Sequence, residues 1–112
     1  MYNGFKNYET WRTVLEINND EHQQEYWKQW AMDYFLNQAK ANPQFSKEED
    51  TLFALAETLK DNMGETVDIV LEHGKVENSL IADLLLAAIG EIAWMEVARN
   101  IVEGILNEEE AA

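Results

Sequence analysis

The sequence predicts an all-α fold, a single compact bundle of about five to six helices spanning residues 1–112. Three observations carry this. Apolar residues recur at i, i+3 and i+4 along most of the chain, and no segment alternates as a half-buried strand would. With 46% hydrophobic residues, twelve aromatics and one proline, the composition is that of a chain that closes one core and needs no second. The charge is also distributed like that of a folded helical surface. Residues 1–43 hold six acids against four bases, net -2, while residues 44–112 hold sixteen against four, net -12, with the carboxylates interleaved among Leu, Ile, Val and Ala.

Residues 1–6 form an N-terminal arm in this reading. The first helix starts after Asn7, a good N-cap, with Glu9 near the positive end of the helix dipole and Trp11, Val14 and Leu15 on one face. Asn18, Asn19 and Asp20 break it and cap the next. A second helix over 21–41 carries an apolar stripe of Tyr26, Trp27, Trp30, Ala31, Tyr34, Phe35 and Ala39, and Pro43 closes it. Ser46, Lys47, Glu48 and Glu49 make a capping box for a third, which turns Leu52, Leu55, Ala56, Leu59 and Met63 inward before Gly64.

Residues 65–73 read as a short fourth helix ended by Gly74, although Thr66, Val67, Ile69 and Val70 are β-branched and tolerate an extended form. Residues 79–90 are apolar on nearly all sides apart from Asp83, the pattern of a helix at the centre of a bundle. A last helix over 93–106 buries Trp94, Ala98, Ile101, Val102 and Ile105 and exposes Glu96, Arg99 and Glu103, leaving 107–112 as a frayed acidic tail. No internal repeat is present.

Two segments are specific beyond their periodicity. Gly4, Phe5, Lys6, Asn7, Tyr8, Glu9, Thr10 and Trp11 open the chain; Ile17 to Asp20 and Gln24, Glu25, Tyr26 and Trp27 follow. Late in the chain, residues 81–94 read Ala82-Asp83-Leu84-Leu85, a small-apolar stretch, then Glu91 and Trp94. Together they resemble an uncharacterised family of small acidic proteins of bacteria and their phages, marked by an Asn-Tyr-Glu-Thr-Trp opening. The likeness covers both ends of the chain, while 40–76 match only in character. It implies a small helical domain often carried on mobile elements, and implies no activity. Ala93 stands where that family commonly has a capping Asn, so a continuous or kinked helix across Gly90 is an open alternative.

The charge narrows the partners. A folded surface at net -14 repels nucleic acid and anionic membrane and attracts basic protein surfaces. Without cysteine there is no disulfide, thiolate metal site or thiol nucleophile, which fits a cytoplasmic protein. The opening residues lack a signal or transit pattern, and the longest apolar run falls far short of the roughly 20 residues a membrane span needs.

No cofactor, resident metal or enzyme activity is expected. Ser46 and Ser79 stand where helices begin, the five glycines form no phosphate loop, and His22 and His73 lie among acids without a paired ligand motif. Asp50, Glu57 and Asp61 recur at i, i+7 and i+11, and Glu65, Asp68 and Glu72 at i, i+3 and i+7, so each set lines one helix face. They are the candidate contacts for a basic host protein, itself nucleic-acid-binding, with this chain as a DNA mimic; simple solubility is the competing reading. The alternative function is a homo-oligomeric module joined through Tyr2, Phe5, Tyr8 and Trp11, residues that equally suit packing and capping.

Overall fold

A computed structural model describes residues 1–74 and 79–111. Among them it shows five helices and no strand: α1 Tyr8–Asn19, α2 Glu21–Asn37, α3 Lys47–His73, α4 Ser79–Gly90 and α5 Trp94–Ala111. The expected caps are formed. Asn7 accepts from the Thr10 N–H, Asp20 accepts from the N–H groups of His22 and Gln23, and Ser46 and Glu49 complete a reciprocal capping box. The capping expected of Ser79 falls on a side chain outside the description.

α1, α2, α3 and α5 enclose the core. Val14 and Ile17 come from α1, Trp27 and Ala31 from α2, Leu55, Ala56 and Leu59 from α3, and Trp94, Val97, Ala98 and Ile101 from α5. Leu55 and Ala98 are fully buried. The indole N–H of Trp94 is buried without a hydrogen-bond partner among the described residues, a cost of about 1–3 kcal/mol against the burial of its ring.

Several boundaries differ from the sequence expectation. α2 ends at Asn37, earlier than residue 41; Asn42 then closes a tight loop by accepting the N–H groups of Gln44 and Phe45 at 2.7 and 2.8 Å. α5 is helical to Ala111, past the expected end at Leu106.

The helix expected to stop at Gly64 does not stop. α3 passes through Gly64 and absorbs residues 65–73, because Leu55, Leu59, Met63, Val67 and Leu71 continue one i, i+4 ridge across the glycine. At 27 residues α3 is about 40 Å long, the longest of the five helices. The molecule is accordingly elongated, 47 × 28 × 27 Å.

The expectation that 79–90 form the centre of the bundle is overturned. α4 packs against α3. Leu80, Ile81, Leu84, Leu85 and Leu86 are 40 to 63% exposed, and only Ile89, at its end, packs against the core. The four other helices already close the core, and α4 reaches it only through Ile89. α4 and α5 are separate helices, joined by a turn at 91–93.

Candidate functional site

The continuity of α3 brings the two acidic sets together. At 3.6 residues per turn, Asp50, Glu57, Asp61, Glu65, Asp68 and Glu72 fall within an arc of about 80°, on the side away from Leu55 and Leu59. Glu57, Asp61, Glu65, Asp68 and Glu72 are exposed. They span about 22 Å of helix, one carboxylate every 5 to 6 Å or so. None of the five forms an ion pair or side-chain hydrogen bond among the described residues. α3 carries eight acids against two lysines, and one of these, Lys47, lies over the Phe35 ring at 4.9 Å.

Asp50 differs from the rest of the row. Half-buried, it accepts from the Tyr34 hydroxyl at 3.2 Å and the Lys40 N–H at 3.0 Å, tying the end of α2 to the start of α3. Burial, then the hydrogen bond to this carboxylate, holds the Tyr34 phenol above its ordinary 10.0. Asp50 thus has a structural occupation that the other five lack.

The N-terminal signature forms a clasp. Asn3 and Gly4 have φ of 47° and 89°, and the Tyr2 and Phe5 backbones exchange hydrogen bonds of 2.7 and 2.9 Å. This is the tight turn favoured by an Asn-Gly pair, because both central residues need positive φ. It folds Tyr2 back onto Tyr8 and Trp11, with ring centroids 5.4 and 5.1 Å away. Tyr2 and Tyr8 are 42 and 50% exposed, whereas Phe5 packs against the core. Of the four aromatics in the alternative surface, three therefore share one cluster and the fourth turns inward.

The same segment holds the α4–α5 turn. Asn7 Nδ2 donates to the Glu91 carbonyl at 2.7 Å, the Ala93 N–H donates to Thr10 Oγ1 at 2.8 Å, and Thr10 Oγ1 donates to Asn7 Oδ1 at 2.6 Å. The Lys6 N–H adds a bond to Glu96 Oε2 at 3.0 Å. Thr10 is fully buried. The N–H of Ala93, just before α5, is thus met by Thr10 from the opposite end of the chain. The sequence reading missed this clasp and the Tyr2–Phe5 turn; the Asn-Gly pair was the available signal for the turn, and no local signal exists for the clasp.

His22 and His73 are exposed, and among the described residues no three His, Asp or Glu side chains converge on a common cation position. A groove of about 340 Å³ between α2, α3 and α5 is lined by Met32, Phe35, Leu36, Val102 and Ile105, with Glu48 and Thr51 at its polar side. The Thr51 hydroxyl is committed to the Lys47 carbonyl at 2.8 Å. Among the described residues no helix is long and apolar enough to cross a membrane. No family model, curated protein or solved structure matches the chain.

Proposed function

We propose that this chain is a small acidic interaction protein that presents α3 to a basic surface of another protein, occupying a site built for nucleic acid. One observation carries the reading: the exposed carboxylates form a single uncompensated row. Glu57–Asp61, Asp61–Glu65, Glu65–Asp68 and Asp68–Glu72 are four like-charge neighbours at i, i+3 or i+4. At about 0.2–0.5 kcal/mol each, they destabilise the helix by roughly 1–2 kcal/mol. Solubility alone is met by charges scattered among cations, and by a smaller net charge than -14. A row that costs stability in the free protein regains it against cations.

The mechanism is electrostatic competition. Fixed negative charges along a helix imitate a phosphate strand in outline, accelerate encounter with a basic groove and exclude the nucleic acid while bound. The partner is a nucleic-acid-binding protein of a host cell, in keeping with the resemblance to proteins carried on mobile elements. The test is affinity capture from host lysate at low and moderate salt, run in parallel with an Asp61→Lys, Glu65→Lys, Asp68→Lys variant. The expected result is a nucleic-acid-binding protein that is lost as salt rises, displaced by duplex DNA and absent from the variant's capture. Capture undiminished in the variant, with its helical content intact, refutes the proposal.

A further inference from the structure

We infer that the outer face of α2 carries an arginine-docking recess, the place where a basic partner protein lays a guanidinium side chain. The recess is an open hollow of about 460 Å³ lined by Glu25, Tyr26, Gln29, Trp30 and Asp33, all from α2. Glu25, Gln29 and Asp33 are spaced by four residues, and so are Tyr26 and Trp30. A line of polar side chains therefore runs beside an aromatic pair.

The rings are held in place before anything binds. Tyr26 stands edge-on to Trp27 at 4.9 Å and 89°, and Trp30 stacks on Tyr34 at 5.4 Å and 9°. Trp30 also packs against the core. Tyr26 nonetheless leaves 61% of its surface open, although Trp27 beside it is buried. A rigid aromatic surface of this kind loses little conformational freedom when it is covered.

Charge and shape choose the occupant. Glu25 and Asp33 are exposed. Glu25 makes no ion pair or side-chain hydrogen bond among the described residues, and Asp33 accepts only from the Gln29 amide, through Oδ1 at 2.9 Å. Carboxylates beside aromatic rings suit an organic cation. Guanidinium is planar, stacks on a ring and forks its N–H groups toward a carboxylate, whereas the lysine ammonium is compact and strongly hydrated. A nucleotide base would stack on the same rings, but its phosphate meets these two carboxylates and a net charge of -14.

The recess adjoins the α3 row. Tyr34, stacked on Trp30, donates its hydroxyl to Asp50 at 3.2 Å. The inference rests on the reading of a basic partner and adds what that partner carries. A carboxylate row senses charge alone, and the recess distinguishes arginine from lysine.

The experiment is calorimetric titration of the full chain at low salt with hexa-arginine and with hexa-lysine, peptides of equal charge. Two variants are compared, Tyr26→Ala in the recess and Asp61→Lys, Glu65→Lys, Asp68→Lys in the row, each checked for helical content by circular dichroism. The expected result is that wild type binds hexa-arginine about two- to fivefold tighter than hexa-lysine, the worth of one exposed cation–π contact. Tyr26→Ala should bind the two peptides equally, while the row variant binds both more weakly and keeps the preference. Equal affinities in wild type overturn the proposal, as does a preference that survives Tyr26→Ala. A preference lost in the row variant also overturns it, by moving arginine recognition to α3. A row variant that binds both peptides as tightly as wild type, with the preference intact, refutes the α3 reading instead and leaves the recess standing.

Discussion

Replacing Thr10 with Val isolates the clasp between the chain's opening and the α4–α5 turn. Valine matches the shape of threonine, so the core keeps its packing while Oγ1 disappears. Two hydrogen bonds go with it, one donated to Asn7 Oδ1 and one accepted from the Ala93 N–H. Each is worth about 1 kcal/mol net, and the Ala93 N–H, left facing a methyl group, adds an unsatisfied-donor penalty of about 1–3 kcal/mol. The extra apolar group at a fully buried position returns part of this, so the net loss is about 2–3 kcal/mol. In a domain of this length that corresponds to a fall in Tm of roughly 10 °C. Urea unfolding followed by far-UV circular dichroism measures it directly, since Cm should fall with m unchanged. Thr10→Ser retains the hydroxyl and should cost only about 1 kcal/mol for the lost methyl. A Thr10→Val protein within about 0.5 kcal/mol of wild type, the range of ordinary surface substitutions, would refute the clasp as a source of stability.

Two further outcomes follow from local geometry. Gly64→Ala should stabilise by about 0.5–1 kcal/mol in the same urea assay, because Gly64 lies inside α3 and an added Cβ meets nothing within 4 Å; destabilisation would show that the helix is interrupted there. Asp20 is held below its ordinary 3.8, first by the hydrogen bond from the Gln23 side chain and then by the Gln23 and His22 N–H groups. Its contribution is therefore present above that value and lost as pH falls through it towards the lower folded-state pKa. An Asp20→Asn protein should show a shallower loss of stability below about pH 4 than wild type, and parallel acid limbs would contradict the assignment.

The proposed acidic site was half legible in the sequence. Each carboxylate set was visible by its spacing, but their union into one row depended on whether Gly64 ended a helix. Glycine ends a helix when it adopts positive φ; Gly64 does not, and Val67 and Leu71 extend the ridge of Leu55, Leu59 and Met63. That ridge is present in the sequence, but a glycine is equally the residue that ends helices, and only the backbone conformation at Gly64 separates the two. Asp50 was legible as an acid on the same face, but its bonds to Tyr34 and Lys40 arise only where the α2–α3 loop folds back.

The sequence by itself determined what is local: that the chain is helical, that Asn7, Asp20 and Ser46 start its helices, and that Val14, Trp27, Ala31, Leu55, Ala56, Leu59, Trp94, Ala98 and Ile101 point inward, although Tyr26 of the expected α2 stripe is 61% exposed and Thr10, Ile17 and Val97 join the buried set. Caps and periodicity act over a few residues, so they can be read without knowing the fold. Only the tertiary structure decided the fate of α4. Its all-round apolar pattern states that it avoids water, not what covers it, and the four other helices close the core first. The clasp is of the same kind: Asn7 and Thr10 meet Glu91 and Ala93 across more than eighty residues, a contact that packing creates and no local pattern encodes.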